Sequence, residues 1–470
     1  MLRVAIIGGG WAGLAAAVQA TADGHRVTLL EASRQLGGRA RSLPPRPDEP
    51  ETPPLDNGQH VLLGANQMAL NLMRQVGIDP ETALLRLPLQ LRGPGHALHF
   101  GSGAGPWDGL WAVLAARGWG LGDKLNLLAA ARRWQSQDFQ CSPSASVYGL
   151  CAQLPAAWVE RVVRPLCLAA LNTPIERASA QVFLQVLRDV FWGPRGSSDL
   201  LIPRTDLEQL LPRAARDWLQ ARGTRIATGR RVRQLRRGMA DWQVDGEAFD
   251  HVVLACPVPE AARLVTAALE GIGPNLQQRL RHWLATAARL EHQAVATVYL
   301  HSPTALSAPW QMLHEAPGQP AQWVFDRGQC GGREGLLAFV VCASRSSREQ
   351  LTQQVLAQAR EQLGLDGLVP VQTVVDKRAT FACTAGLTRP AATIARGLTA
   401  AGDYVAGPYP ATLEGAVRSG LMAALGIEGI EPVRPPAPAT VAAPDAPDSF
   451  AATPASRDGA PTDPPPAGSS

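Results

Sequence analysis

The first 31 residues contain the pattern that most constrains the fold of this chain. Residues 2–7 (LRVAII) form an apolar run typical of a buried parallel strand, and the turn after it places Gly8, Gly10 and Gly13 in a G-x-G-x-x-G pattern. A helix pattern of small residues and a second apolar strand follow, and this strand ends on Glu31. In such a unit the glycines permit a tight turn, close approach of backbone to a pyrophosphate and close helix–strand packing, while the acid accepts hydrogen bonds from ribose hydroxyls. The order of these features predicts a Rossmann-type dinucleotide site that disfavours a 2′-phosphate, rather than an ordinary glycine turn.

A second glycine pair distinguishes between the common dinucleotides. Gly37 and Gly38 are followed directly by Arg39, a short distance beyond Glu31. Bare backbone and an arginine that can bind bidentately both suit a pyrophosphate. A nicotinamide-binding domain would continue directly into its next strand–helix unit, so the triplet favours FAD over NAD. A loop with a solvated arginine is the alternative interpretation of the triplet taken alone.

Further cofactor contacts are expected close to the other end of the chain. Gly402 and Asp403 follow a short apolar run, and the carboxylate suits a ribityl or ribose hydroxyl. Thr412 is a suitable N-cap for a helix that starts at Leu413. The positive end of that helix suits the flavin N1/O2 edge, which becomes negative on reduction. We therefore expect both ends of the chain to bind one FAD, with Asp403 close to Gly10.

Two intermediate segments are also candidates for cofactor contact. In the polar sequence DNGQH, Gly58 would let the backbone pass close to a flavin ring, with Gln59 and His60 near its reactive edge. An ordinary turn before a strand is an equally good interpretation of these residues. A later β-rich region ends in the apolar strand 249–256, which predicts a return to the nucleotide-binding domain with Val232 near the adenine.

Composition excludes several classes of function. The formal net charge is only +4, and no basic run contains interleaved aromatic residues, so nucleic-acid binding is not indicated. The seven cysteines are odd in number and none forms C-x-x-C, so neither a metal site nor a disulfide framework is predicted. The first strand begins at residue 2, and no run of about 20 uncharged apolar residues follows, so we expect neither a signal peptide nor a membrane span. These features predict a cytoplasmic protein.

One apolar segment leaves contact with a membrane open. Residues 107–134 have a helical pattern that contains four tryptophans and is interrupted by basic residues such as Arg117 and Lys124. This pattern is typical of a core helix pair, which is the favoured interpretation. It is also typical of an amphipathic surface with tryptophans and basic side chains at headgroup level, which would make the protein peripheral to the inner face of the membrane.

The order of the predicted elements indicates an α/β fold in which a Rossmann-type FAD-binding domain is interleaved with an α+β substrate-binding domain. Apolar runs at 293–300 and 336–342 predict strands of a sheet over the substrate cavity. The predicted FAD-binding parts are residues 1–75, 221–265 and 391–430. The predicted substrate-domain parts are residues 76–220, mainly helical, and 266–390. Residues 431–470 are rich in Pro and Ala with little that could form a core, and they predict a disordered tail.

The motifs resemble a known group of enzymes. The glycine turn, Glu31, the Gly-Gly-Arg triplet and the late Gly-Asp pair together resemble the amine oxidase and phytoene desaturase superfamily of FAD enzymes. Four internal segments resemble more closely the hydroxysqualene dehydroxylases, the squalene-associated FAD-dependent desaturases of bacterial hopanoid pathways. These segments are DNGQHVLLGA (56–65), PLCLAALNTP (165–174), ASAQVFLQVLRD (178–189) and SDLLIPRTDL (198–207).

The resemblance implies a reaction and a substrate class. The reaction would be reductive removal of the allylic hydroxyl of hydroxysqualene to give squalene, with reduced FAD as the electron source and an unknown donor that reduces the flavin. It requires a long apolar isoprenoid channel and an acid or hydrogen-bond donor for the leaving hydroxyl. His60 and Asp189 are the candidates for that catalytic role. A plain hydrogen-bonding role for His60 and a structural ion pair between Arg188 and Asp189 are the alternatives.

Other functions are compatible with the same fold. A carotenoid (phytoene-type) desaturase or a flavin amine oxidase would use the same cofactor site. An amine oxidase is expected to place an aromatic cage at the flavin, and Tyr404 and Tyr409 are the tyrosines near the last cofactor motif. A protein that binds FAD or an isoprenoid without turnover is the alternative from another class.

Overall fold

The N-terminal strand lies at the centre of a six-stranded sheet whose other strands come from distant parts of the chain. Its apolar residues pair in parallel register with apolar residues on both sides, as Ile6 does with Leu29 and Val253. This sheet, called here the parallel sheet, contains one antiparallel edge strand. Its strands, in spatial order, are Thr393–Ala395, Leu398–Ala400, His251–Leu254, Arg3–Ile7, Arg26–Leu30 and Arg225–Ala227. The computed structural model describes residues 1–44, 54–93, 96–99, 112–342 and 346–428.

Two helices from opposite ends of the chain pack together on the parallel sheet. They are Trp11–Ala22 and Leu413–Leu425. The first is rich in alanine, and glycine is required at both of its contacts: a Cβ at Gly13 would lie 1.9 Å from the Gly8 carbonyl oxygen, and a Cβ at Gly420 would lie 2.1 Å from the Ala12 carbonyl oxygen. Small residues therefore set how closely the N-terminal helix approaches both the sheet and the C-terminal helix.

A second sheet of five strands, called here the antiparallel sheet, is paired throughout in antiparallel register. The helix Arg348–Leu363 packs on it, and a capping box at Ser347 and Gln350 starts that helix. The strands of the sheet, in spatial order, are Trp310–Met312, Trp323–Asp326, Leu336–Cys342, His292–His301 and Val369–Phe381.

Smaller elements connect the two large sheets. One three-stranded sheet has the order Leu62–Leu63, Leu200–Pro203 and Leu84–Leu87, another has the order Glu247–Phe249, Trp242–Val244 and Leu235–Arg237, and a hairpin pairs Gln90–Gly93 with His96–His99. Further α-helices among the described residues are Gln67–Gln75, Pro80–Ala83, Leu121–Ser136, Val147–Leu150, Ala156–Trp158, Arg164–Leu171, Ala180–Phe191, Leu207–Leu210, Pro212–Gln220, Val258–Ala267 and Pro274–Ala287. The described residues also contain a π-helical turn, Val159–Val163, and a 3₁₀ turn, Gly426–Glu428.

The predicted α/β class with a second, antiparallel sheet is confirmed. All strands of the parallel sheet come from the three predicted FAD-binding parts, and all strands of the antiparallel sheet come from residues 266–390. The described residues lie in one compact unit, Met1–Pro432, so the predicted domain boundaries stay a prediction. Residues 76–220 contain short strands as well as helices. The predicted tail, 431–470, lies outside the described residues.

The apolar segment 107–134 is only partly covered by the structure, because residues 107–111 lie outside the described residues. Its principal helix is Leu121–Ser136, and Gly120 provides the N-cap. Within the described part of the chain, no helix is both long enough and apolar enough to cross a bilayer.

Candidate cofactor and active site

The glycine turn after the first strand forms an open cradle at the start of the N-terminal helix. Gly8 has a φ of 114°, and a Cβ there would lie 2.4 Å from the Ala255 carbonyl oxygen. Gly10 is the N-cap of the helix and provides no side-chain cap. The first backbone N–H groups of a helix have no partner within the helix, so the amides after Gly10 can bind a phosphate.

Glu31 closes over this turn from the end of the neighbouring strand. Its carboxylate accepts hydrogen bonds from the backbone amides of Gly9, at 2.6 Å, and Ser33, at 2.7 Å. The backbone of Glu31 also accepts from Arg230, at 2.8 Å, which leads the chain toward buried Val232. The Val232 carbonyl oxygen accepts from an arginine guanidinium at 2.7 Å. Glu31 and Val232 therefore lie at the same side of the cradle, where the predicted adenosine half of the cofactor would bind.

The second glycine pair packs directly on the first turn. Gly37 donates its amide to the Gly9 carbonyl oxygen at 2.8 Å, and Gly38, with a φ of 64°, lies so close that a Cβ would be 3.0 Å from the Gly10 Cα. This contact leaves backbone, rather than side chains, facing the position expected for the pyrophosphate.

Arg39 connects this pair to the C-terminal motif. One guanidinium nitrogen donates to the buried carboxylate of Asp403, and the other donates to the Ala379 carbonyl oxygen at 2.6 Å. The charge of Asp403 raises the pKa of the Arg39 guanidinium. The two ends of the chain therefore meet, as the prediction of a shared cofactor site requires.

The C-terminal helix starts beside Asp403. The Asp403 carbonyl oxygen accepts a hydrogen bond from the Ala411 amide at 3.1 Å. The Thr412 hydroxyl caps the helix by accepting a hydrogen bond from the Gly415 amide at 2.9 Å. The predicted N-cap is thus confirmed, and the helix begins at Leu413. Gly402, with a φ of 156°, donates its amide to the Ser419 hydroxyl of the same helix at 2.7 Å. The positive end of this helix is available to a group bound next to Arg39.

Gly58 and His60 lie against the antiparallel sheet. A Cβ at Gly58 would lie 3.5 Å from the Thr297 hydroxyl, and the His60 Nδ1 lies 2.9 Å from the Gly58 carbonyl oxygen. Burial lowers the pKa of His60, so the ring is neutral at pH 7. Because a carbonyl oxygen can only accept, the neutral ring carries its proton on Nδ1 and presents a lone pair at Nε2. This tautomer suits an acceptor that orients a hydroxyl better than it suits an acid.

The segment at Gly58 is joined to the arginine of the cofactor motif. The Asn57 side-chain amide lies 3.1 Å from the Arg39 carbonyl oxygen and 3.3 Å from the Asp376 carboxylate. Asp376 lies on the strand Val369–Phe381, which is an edge strand whose polar character gave no strand signal in the sequence.

Asp189 belongs to a different cluster. Its partly buried carboxylate accepts a hydrogen bond from the Tyr409 hydroxyl and another from Gln185 at 2.7 Å, and Arg188 lies 3.4 Å from it. The guanidinium of Arg418 lies 4.8 Å from the centre of the Tyr409 ring. Burial, followed by the charge of Asp189, raises the pKa of Tyr409.

The sequence did not indicate the pairing of Asp189 with Tyr409. The only available signal was that Tyr409 lies three residues before the helix cap at Thr412. The structure therefore places the two catalytic candidates in separate groups, His60 with Gly58 and Asp189 with Tyr409.

The residues of this region fit an FAD molecule. In the part of the chain that the structure describes, the Tyr404 hydroxyl and the Trp11 indole nitrogen are buried without a hydrogen-bond partner. Tyr404 adjoins Asp403, and Trp11 is the first residue of the helix at the glycine cradle. Buried polar atoms usually have partners, so these two atoms, the uncapped helix start and the glycine contacts are consistent with a bound polar cofactor. No group of metal-binding side chains occurs within the described ranges.

This fold and site define a flavin-dependent oxidoreductase. The chain belongs to the family of flavin-containing amine oxidoreductases, whose model matches residues 11–427. Membership implies FAD as the cofactor, in agreement with the prediction.

Curated relatives of this chain have names that specify a substrate. A hydroxysqualene dehydroxylase from Rhodopseudomonas palustris is 31% identical over 90% of this chain and 97% of its own length. One from Sinorhizobium fredii is 28% identical, again over 90% of this chain and 97% of the relative. A zeta-carotene desaturase from Synechocystis is 25% identical over 56% of this chain and 59% of its own length.

Solved structures support the fold. An oxidoreductase from Methanosarcina mazei superposes with a TM-score of 0.66 at 16% identity, and the match covers 90% of this chain and 100% of that one. A putrescine oxidase superposes with a TM-score of 0.64 at 16% identity, covering 91% and 99% of the two chains. At these identities the similarity concerns the fold alone.

Proposed function

We propose that this protein is a hydroxysqualene dehydroxylase, which removes the allylic hydroxyl of hydroxysqualene reductively to give squalene. The observation that carries the proposal is similarity to two proteins of that name over 97% of their lengths, in a chain whose site residues fit FAD. In the reaction the C–O bond breaks, a C–H bond forms and the hydroxyl leaves as water. FAD, when bound and reduced, supplies the hydride for the new C–H bond.

The leaving hydroxyl needs one proton from the protein. The Tyr409–Asp189 pair can act as a relay, in which a proton taken up on Asp189 passes to the Tyr409 oxygen as Tyr409 gives its own proton to the leaving oxygen. The raised pKa of Tyr409 keeps the phenol protonated between turnovers. In this proposal Asp189 keeps its catalytic role, through Tyr409.

His60 has a complementary role in the proposal. Its Nε2 lone pair accepts a hydrogen bond from the substrate hydroxyl and so orients the C–O bond before it breaks. The Gly58 carbonyl oxygen maintains the required tautomer by binding the proton on Nδ1.

A C30 isoprenoid needs a long apolar surface next to these groups. Partly buried apolar side chains, including that of the residue after His60, pack against a hydrophobic cluster that contains residues of the antiparallel sheet. They include Val61, Leu85, Leu87, Trp323 and Val340. Their apolar character supports a lipid substrate, because such a surface desolvates the chain and shields a developing allylic cation from water.

The experiment uses the purified holoprotein under anaerobic conditions, with its flavin reduced by dithionite. Addition of hydroxysqualene should reoxidise the flavin and yield one squalene for each flavin that is reoxidised. Absence of squalene would contradict the proposal. Desaturation of zeta-carotene by the oxidised protein would support the second candidate, a carotenoid desaturase, which the similarity to the Synechocystis enzyme favours. Reduction of the flavin by amines would support an amine oxidase.

The relay is tested by Tyr409→Phe and Asp189→Asn. Each should lower kcat by roughly 10²- to 10⁴-fold, while the flavin content and absorbance spectrum stay unchanged. Tyr148→Phe is the matched control, because the Tyr148 side chain is exposed. Full activity of Tyr409→Phe would exclude the phenol as the proton donor.

A further inference from the structure

The helix Leu121–Ser136 exposes leucines that the core does not use. Leu121 is 78% exposed and Leu125 is 63% exposed, and they lie one turn apart on one face. Leu114 is 41% exposed, and its carbonyl oxygen accepts a hydrogen bond from the Lys124 ammonium at 2.6 Å. That bond places Leu114 beside the same end of the helix. These three residues are called here the leucine patch.

The inner side of the helix is separately anchored. Ala130 and Trp134 are buried in the hydrophobic core, and Leu127 packs against it. The leucine patch is therefore not needed to attach the helix to the rest of the protein. Its three apolar side chains are therefore exposed without a role in the core, a pattern that is typical of an interaction surface.

The described segment that carries the patch has one dominant sign of charge. Residues 112–136 contain four basic residues and one acid, a net of three positive charges (4 − 1 = 3). The acid, Asp123, accepts from the Gly120 amide at 3.4 Å as part of the helix cap. Arg117 and Arg132 are exposed. An apolar face bordered by basic side chains is complementary to the acyl and headgroup layers of an anionic bilayer.

We propose that the leucine patch docks this protein peripherally on an anionic lipid bilayer, with the helix Leu121–Ser136 lying in the plane of the interface. Leu114, Leu121 and Leu125 enter the acyl boundary, and Arg117 and Arg132 contact lipid phosphates. Docking depends on this surface and not on the identity of the substrate, so it stands or falls independently of the proposed dehydroxylase activity.

Sedimentation of the full chain with vesicles tests the proposal. The protein should bind vesicles of phosphatidylglycerol and phosphatidylcholine, and bind vesicles of phosphatidylcholine alone at least about fivefold more weakly, since each basic residue near an anionic surface contributes about 1 kcal/mol. Raising the salt concentration to 1 M should weaken binding to the anionic vesicles, because it screens these charges.

Two variants separate the apolar and charged contributions. Leu121→Ser with Leu125→Ser should lower the partition coefficient about tenfold or more, because interfacial binding scales with buried apolar area. Arg117→Gln with Arg132→Gln should lower it on anionic vesicles only. The matched control is Met239→Ser with Val369→Ser, which removes two exposed apolar side chains from other surfaces and should leave binding unchanged.

The results that would overturn the proposal are specific. Absence of wild-type binding to anionic vesicles would overturn it, as would unchanged binding of the double leucine variant with normal melting temperature and flavin content. If the leucine variant is misfolded, equal wild-type binding to anionic and zwitterionic vesicles, insensitive to salt, would overturn it. A wild-type dimer that the leucine substitutions dissociate would assign the patch to a second copy of the chain instead.

Discussion

The carboxyl group of Asp56 accepts hydrogen bonds from the Ser42 hydroxyl at 3.0 Å and from the Leu207 amide at 2.9 Å. Burial is the main cause that raises the pKa of Asp56, to about 6. The folded protein therefore holds a proton at Asp56 that the unfolded chain, with an ordinary pKa near 4, has released. Between about pH 4 and pH 6 the folded state binds more protons, so the contribution of Asp56 to stability is lost as the pH rises through this window.

Asp56→Asn should remove that pH dependence. The difference in free energy of unfolding between the variant and wild type should shift in favour of the variant by about 2 kcal/mol when the pH is raised from 4.5 to 7.5. This size follows because one pKa unit corresponds to about 1.4 kcal/mol. Urea denaturation at the two pH values measures the difference. Asp366→Asn, in an exposed ion pair, is the control. An equal effect of Asp56→Asn on stability at both pH values would contradict the raised pKa of Asp56.

Glu31 is the residue at which cofactor binding is most directly tested. Glu31→Arg replaces an acceptor by a cation beside the predicted ribose and should strongly reduce FAD retention. Glu31→Gln keeps the size and should have an intermediate effect. Both should also lower stability by about 1–3 kcal/mol, because the Gly9 and Ser33 amides lose a charged acceptor.

Flavin absorbance per protein after gel filtration measures the retention of FAD by the Glu31 variants. Glu270→Arg, on the surface, serves as the control for an added positive charge. Normal flavin content of Glu31→Arg would argue against the predicted position of the ribose.

At the scale of elements, the close packing of the first and last helices depends on one glycine. Gly420→Ala would place a Cβ 2.1 Å from the Ala12 carbonyl oxygen, and a backbone oxygen cannot move aside without shifting its helix. We expect a loss of about 1–3 kcal/mol in stability, the usual cost of overpacking. Thermal unfolding of the holoprotein measures it.

The chain offers a matched control for this substitution. Gly122 is also in a helix, but a Cβ there would have no neighbour within 4 Å among the described residues. Gly122→Ala should therefore stabilise the protein by about 0.5–1 kcal/mol, because alanine loses less conformational entropy in a helix than glycine does. If both substitutions changed stability in the same direction, the contact between the two helices could not be the cause of the loss in Gly420→Ala.

At the scale of the whole molecule, the Arg39–Asp403 pair joins segments that are 364 residues apart. Asp403→Asn leaves Arg39 without its carboxylate and should lower both flavin content and the free energy of unfolding. The loss of stability should be about 1–2 kcal/mol, less than for a fully buried pair because the Arg39 side chain is 40% exposed.

Asp366→Asn breaks an exposed pair with Arg360 and should change stability by less than about 0.5 kcal/mol. Equal stability losses in the two variants, measured by urea denaturation, would show that Asp403 has no special role in joining the two ends of the chain.

Sequence reasoning predicted the nucleotide-binding unit and the cap of the last helix because both are local patterns. A strand, a glycine turn and a helix follow one another directly, and Thr412 caps a helix through an amide three residues away. It did not predict the strand Val369–Phe381, since that strand lies at a sheet edge and carries polar residues such as Asp376. The pairing of Asp189 with Tyr409 was also missed.

The sequence by itself therefore determined the class of fold, the elements that bind a dinucleotide and the order in which they occur. The tertiary structure alone decided which distant side chains meet: Arg39 with Asp403, and Asp189 with Tyr409 across 220 residues. The physical reason is that local patterns depend on backbone geometry within a few residues, whereas such pairs depend on how whole helices and sheets pack.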